Sequence, residues 1–158
     1  GTIINSVPGV QLNGLGDYAF YWSRRGAVQA LGMRRVGRLL ARKLFIKPEQ
    51  QEPRTQFIER WATNDKQAYL ASIDGLVGWS VKDQLPAIQH PVLVLTANDD
   101  YTPAPAKRKH VRAMPNARLA VVADARHALP VERPDAVNAL LRAFIERVER
   151  KRSARRSR

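Results

Sequence analysis

Residues 91–134 read PVLVLTANDDYTPAPAKRKHVRAMPNARLAVVADARHALPVERP, and this stretch decides the fold. The runs 91–96 and 119–122 are continuously apolar and β-branched, which is typical of strands covered on both faces in a parallel sheet. Between them, residues 104–113 are predicted to be helical. A strand, helix, strand order at this spacing predicts two parallel strands joined by a right-handed crossover, and therefore an α/β fold.

Two helices flank the predicted strands. The helix over 104–113 is expected to place its basic side chains on the solvent side: Lys107, Arg108 and Lys109. The last helix starts at Pro134, with Asp135 near the positive end of its dipole. Its apolar stripe has helical spacing and predicts a buried face made of Val137, Leu140, Leu141, Phe144 and Val148.

The segment before this stretch has a different pattern. Thr2 to Asn5 is a short β-branched run that ends at Pro8 and Gly9, which predicts a strand followed by a loop. Residues 10–85 read as four helices, the first capped by Asp17 and the fourth by Asp65.

Polar residues follow both strands of the opening stretch. Asp99 and Asp100 come after the first strand, and His127 comes after the second. Because neighbouring parallel strands end at the same edge of a sheet, we expect these side chains to lie close together. An acid that orients a histidine is two members of a nucleophile–base–acid triad. The alternative is a surface turn whose Asp caps a helix, with a histidine that only terminates a strand.

These residues resemble the C-terminal part of the α/β-hydrolase family. Ala97–Pro103 is similar to the family's Gly-x-x-Asp turn before a Pro, with Ala97 in place of Gly. The resemblance puts the triad acid on Asp100, with Asp99 as the second choice. Asp124–Pro134 is similar to the turn that carries the family's histidine, here His127, although Arg126 replaces the usual small residue.

The resemblance also implies how the chain is organised. Residues 1–9, similar to the family's sixth strand, and 86–146 would form the C-terminal half of the core, with three parallel strands and flanking helices. Residues 10–85 would be an inserted helical cap, and 147–158 a basic, disordered tail. The family's Gly-x-Ser-x-Gly nucleophile turn is absent, and Gly78-Trp79-Ser80-Val81-Lys82 is the nearest approach. The nucleophile is therefore expected to precede Gly1.

The resemblance implies a hydrolase for an ester, lactone or related acyl bond, which would be inactive as this fragment alone. Its partners would be a small acyl substrate and the missing N-terminal half of the fold. Trp22, Trp61 and Tyr101 are candidates for the substrate pocket, although aromatic side chains in a cap more often pack with one another. No cofactor is implied.

Composition further narrows the classes of protein to which the chain can belong. The chain has no cysteine, which excludes disulfides and thiolate metal sites and fits a cytoplasmic protein. No apolar run is long enough to cross a bilayer, so we expect no membrane association. His90, His110 and His127 lack metal-ligand spacing, so no metal site is expected.

The net charge of +13 leaves a second function open. Residues 147–158 contain seven Lys or Arg and one acidic residue. A basic tail can be a solvated end that aids solubility, or it can bind nucleic acid through phosphate contacts. The alternative to a hydrolase is therefore a small interaction module that binds nucleic acid through this tail. No aromatic residues interleave with the charge, which disfavours that alternative.

Overall fold

The computed structural model describes residues 1–156, and the chain divides into two compact units. The strand unit comprises Gly1–Val7 and Asp83–Arg158, and the helical unit comprises Pro8–Lys82. Each unit has its own apolar core.

The strand unit is built on a three-stranded parallel sheet. Its strands are β1 (Thr2–Ile4), β2 (Val92–Ala97) and β3 (Ala117–Val122), in the order β1-β2-β3. The register pairs Ile4 with Leu95 and Ala97 with Val122. The predicted α/β class and the parallel pairing of the two apolar strands are both confirmed.

The central strand, β2, is buried along its whole length because apolar clusters cover both of its faces. On one face Leu93, Leu95 and Ala97 pack in a cluster with residues of α5 (Leu129–Glu132) and α6 (Pro134–Arg156). On the other, Val92 and Val94 pack with Val111 of α4 (Ala104–Arg112) and with Leu85 of a 3-10 helix (Lys82–Ala87). The alternation follows from the two-residue period of a strand.

The α6 helix confirms its predicted apolar stripe and extends further than expected. All five stripe residues belong to or pack against the cluster that α6 covers. The expectation of disorder over 147–158 is wrong as far as Arg156, where α6 ends. Arg, Lys, Glu and Ala are good helix formers, and Glu146 pairs with Arg150 at 3.7 Å one turn away. Ser157 and Arg158 lie outside the described residues.

The α4 helix corrects one prediction. Arg108 and Lys109 are exposed as expected, but Lys107 is 2% exposed. Lys107 lies four residues before Val111 and seven before Met114, on the helix face that packs against the sheet. Its position on this face, rather than its charge, decides its burial.

The helical unit contains three α-helices: α1 (Leu15–Leu44), α2 (Gln51–Ala62) and α3 (Lys66–Leu76), with a 3-10 helix at Pro48–Gln50. The first two predicted helices are the two segments of α1, which meet at a kink where Gly32 has a non-helical φ of 76°. Asp65 caps α3 as predicted, since its carboxylate accepts from Ala68 N at 2.7 Å. Asp17 does not cap α1, whose N-cap is Gly14; Asp17 lies in the first turn.

Close packing of α1 on α2 depends on Gly37. A Cβ at this position would lie 2.7 Å from Trp61 Cβ, which is too close for any carbon contact. Trp61 in turn stacks on Phe57 at 5.8 Å and meets Tyr69 edge-on at 4.9 Å. The side chain of Trp61 is therefore part of the core of this unit.

Among residues 1–156, no helix is long and apolar enough to traverse a bilayer.

We expect Gly37→Ala to lower the free energy of unfolding by about 1–2 kcal/mol, because the overpacking against Trp61 exceeds the gain in helix propensity. Gly26→Ala, in the segment of α1 before the kink at Gly32, is the control, since a Cβ there meets nothing within 4 Å. That control should gain up to about 1 kcal/mol. Urea denaturation of both variants measures the difference, and equal stabilities would contradict the close packing.

Candidate functional site

The register of β2 on β3 brings two loops side by side at the carboxyl end of the sheet. Beyond the paired residues Ala97 and Val122, Asn98 N donates to Val122 O at 3.0 Å. Asp99 N then donates to Ala125 O at 3.1 Å. The loop after β2 and the loop after β3 are thus joined by backbone hydrogen bonds up to the residues that precede Asp100 and His127.

Asp100 and His127 are in direct contact across these loops. Asp100 Oδ1 lies 2.5 Å from His127 Nδ1. The carboxylate is 1% exposed, whereas the imidazole is 42% exposed. An ionised carboxylate can only accept, so the hydrogen bond requires that Nδ1 carries a proton. The structure brings together the preferred acid and the histidine, while Asp99 is exposed.

The second oxygen of Asp100 pairs with the buried Lys107. Lys107 Nζ donates to Asp100 Oδ2 and, at 2.7 Å, to Thr96 Oγ1. Sequence reasoning missed this residue because it sits in a basic run, Lys107-Arg108-Lys109. A signal existed, since Lys107 lies at helical spacing from Val111.

The two partners set the charge state of the acid. Burial alone raises the pKa of the Asp100 carboxyl, because desolvation disfavours the charged form. Hydrogen bonds and charge from Lys107 and His127 outweigh that effect, so the pKa of Asp100 lies below its ordinary value. The carboxylate is therefore ionised at neutral pH and available as an acceptor.

Asn5, directly after β1, fixes the histidine loop to the sheet. Its Nδ2 donates to the carbonyls of Arg126 at 3.0 Å and His127 at 2.9 Å. Its Oδ1 accepts from Ala97 N at 2.9 Å. Asn5 is buried and has a φ of 45°, a left-handed conformation that Asn tolerates better than most residues. Sequence reasoning did not single out this residue.

The loop that carries His127 is also closed from its C-terminal side. Arg126 N donates to Glu132 Oε1 at 2.9 Å, and Ala125 N donates to Asn98 Oδ1 at 3.2 Å. Both backbone groups of Arg126 are therefore hydrogen-bonded, the amide to Glu132 and the carbonyl to Asn5.

The three aromatic candidates fall in different surroundings. Tyr101 lies beside His127, with ring centroids 4.6 Å apart, and is 60% exposed. Trp22 belongs to the helical unit and is 60% exposed. Trp61 packs within that unit. A role in substrate binding stays a prediction for all three.

The arrangement suits proton transfer rather than metal binding. A histidine held by a buried carboxylate through Nδ1 has Nε2 left to exchange a proton with a reacting group. Within residues 1–156, no group of three or more His, Cys, Asp or Glu side chains could hold a metal ion.

Comparison with known families agrees with this fold. The sequence model that describes the alpha/beta hydrolase family matches residues 2–140 of the chain. The chain belongs to the alpha/beta hydrolase family, as its sequence resemblance predicted.

Solved structures show the same fold at low sequence identity. An enol-lactonase from Burkholderia xenovorans superposes with a TM-score of 0.78 at 19% identity, covering 92% of this chain and 55% of that protein. An esterase from Thermogutta terrifontis gives 0.77 at 18% identity, over 93% and 55%. A bromoperoxidase from Bacillus anthracis gives 0.79 at 14% identity, over 92% and 57%. The chain thus spans little more than half the length of these proteins.

We expect Asn5→Gly to lower the free energy of unfolding by about 2–4 kcal/mol, because three hydrogen bonds are lost while the left-handed backbone stays accessible. Hydrogen exchange should show faster exchange at the Ala97 amide, whose acceptor disappears. Ser6→Gly, at an exposed neighbour, is the control and should change stability by less than about 0.5 kcal/mol. If the Ala97 amide stayed protected in Asn5→Gly, the proposed role of the Asn5 side chain as its acceptor would be contradicted.

We expect Asp100→Asn to destabilise the fold by about 3 kcal/mol or more, since it strands the buried ammonium of Lys107. Adding Lys107→Met should restore much of that loss. Because the folded pKa of Asp100 is lowered, its contribution is present above pH ~4 and is lost as pH falls through the folded value. Urea titrations at decreasing pH should show this loss in the parent and its absence in the double variant.

Proposed function

We propose that the chain is the histidine- and acid-bearing part of a hydrolase that acts on an ester, lactone or related acyl bond. The observation that carries the proposal is the 2.5 Å contact between Asp100 Oδ1 and His127 Nδ1. A buried acid behind a half-exposed histidine is the arrangement that acyl transfer by a Ser-His-Asp type triad uses. The names of an enol-lactonase and an esterase among structures of this fold are consistent with acyl-bond chemistry.

In the proposed reaction His127 moves protons and Asp100 does not. Nε2 of His127 takes the proton from a nucleophile hydroxyl as that oxygen attacks the acyl carbon, and the imidazolium forms. Asp100 stabilises the imidazolium through Nδ1–H. The proton then passes to the leaving oxygen as the acyl bond breaks. A water molecule repeats the two transfers and releases the acid product.

The nucleophile is proposed to come from residues outside these 158. The sequence contains no Gly-x-Ser-x-Gly motif, and the chain covers 55% of the enol-lactonase structure. Ser80, the serine of the nearest motif, lies in the helical unit at an isolated bridge with Gly9. We propose that the 158-residue chain alone does not turn over substrate.

The helical unit is proposed to act as the cap that shapes the substrate site. Its exposed Trp22, and Tyr101 beside His127, are the aromatic residues we propose for contact with the acyl substrate. No cofactor takes part in this proposal. A cytoplasmic location is proposed from the cysteine-free composition. The nucleic-acid alternative gains no support from structures of this fold.

We expect His127→Ala, in a longer chain that includes the upstream coding sequence, to lower kcat for p-nitrophenyl ester hydrolysis by about 10³-fold or more. The loss follows because the variant lacks the group that is proposed to take the proton from the nucleophile. His110→Ala, on α4, is the matched control and should keep parental turnover. Full activity of His127→Ala would remove the basis for the proposed triad.

A further inference from the structure

The structure contains a buried lysine that the proton transfers described above do not use. Lys107 is 2% exposed, whereas Arg108 and Lys109 on the same helix are exposed. Withdrawing an ammonium group from water costs several kcal/mol even after relaxation. Such a group is retained only where it is paired and hydrogen-bonded.

The contacts of Lys107 all lie at the end of β2. Its Nζ donates to Thr96 Oγ1 at 2.7 Å and to Asp100 Oδ2. Thr96 is fully buried, and its hydroxyl donates in turn to Ala97 O at 3.3 Å. The ammonium is therefore held by one fixed hydroxyl while it holds the carboxylate.

Stability alone gives a poor account of this lysine. Val111 and Met114 share its helix face and pack in an apolar cluster. A methionine at position 107, together with an uncharged residue at position 100, would avoid the desolvation cost of both charges. Replacing a buried ion pair by apolar residues is often neutral or stabilising. What distinguishes position 107 is its reach to the acid of the proposed triad.

The two oxygens of the Asp100 carboxylate contact different partners. Oδ1 faces His127 Nδ1, and Oδ2 faces Lys107 Nζ. The terminal torsion of an aspartate is broad and roughly two-fold, so a single hydrogen bond leaves the carboxylate free to swing. Two hydrogen bonds, one to each carboxylate oxygen and each from a different partner, hold the carboxylate in one orientation.

We propose that Lys107 is a positioning residue for the histidine. It holds the carboxylate of Asp100 in one rotation with Oδ1 facing His127, so that the imidazole carries its proton on Nδ1 and leaves Nε2 without one. This inference rests on the proposed hydrolytic function, in which Nε2 must accept the first proton. Lys107 touches no reacting atom and acts only through Asp100.

The first test is imidazole NMR on the 158-residue chain, which needs no nucleophile. Long-range ¹H–¹⁵N spectra at pH ~8 report the fraction of neutral, Nδ1-protonated His127. In Lys107→Met the carboxylate can swing away from Nδ1, which lets the imidazole proton move to Nε2 and lowers that fraction. We expect a fall of about twofold or more, with the parental spectrum retained in Lys109→Met. A folded Lys107→Met with the parental His127 signals would overturn the proposal.

Lys107→Gln keeps the test decisive if Lys107→Met fails to fold. Its amide can donate to Asp100 and accept from the hydroxyl of Thr96, so the buried polar groups stay satisfied. A neutral amide holds a carboxylate less firmly than an ammonium does, so the Nδ1-protonated fraction should fall, though less than in Lys107→Met. An unchanged fraction in Lys107→Gln would refute the positioning role.

A second test separates this inference from the proposed function. In the longer chain we expect Lys107→Met to lower kcat about 10- to 100-fold with KM within about threefold, and Lys109→Met to match the parent. If His127→Ala keeps full activity, the proposed function fails. If His127→Ala is inactive while Lys107→Met keeps parental kcat, only the role of Lys107 fails.

Discussion

The in-register parallel pairing of β2 with β3 is the constraint on which the site depends. Ala97 pairs with Val122, and hydrogen bonds continue the pairing into both loops. Asp100 and His127 lie a few residues beyond this pair, one on each loop. A slip of one residue would turn the side chains of β2 to the opposite faces and break both apolar clusters. Packing along the strands therefore helps to fix the distance between the acid and the histidine.

Polar groups at the sheet edge hold the loop that carries His127 in a fixed position on the paired strands. Parallel strands end in backbone groups that have no further strand to pair with. At this edge the amide of Asn5 bonds to Ala97 on one side and to Arg126 and His127 on the other. Three chain segments are joined by one side chain. The position of the histidine backbone is thus set by hydrogen bonds, while its ring orientation is set by Asp100.

The sequence predicted the parts of this arrangement that repeat with a regular period. Burial explains the apolar runs of β2 and β3 and the apolar stripe of α6. The position of Asp100 and His127 just after the two strands identified them as candidate site residues. It did not reveal Asn5, because a left-handed residue after three strand residues reads as a strand end. Lys107 was misplaced because three basic residues in succession suggest a solvent face. The helical spacing from Lys107 to Val111 and Met114 carried the opposite information.

The contacts that orient the acid and the histidine are made within a single unit of the chain. Asn5, Thr96 and Lys107 belong to the strand unit, and so do Asp100 and His127. The buried carboxylate needs both of its bonds, because an unpaired charge away from water is far more costly than an unpaired surface charge. The observed side-chain arrangement satisfies the ammonium, the hydroxyl and the imidazole together. Orientation at this site therefore follows from the requirement to satisfy the buried polar groups of the strand unit.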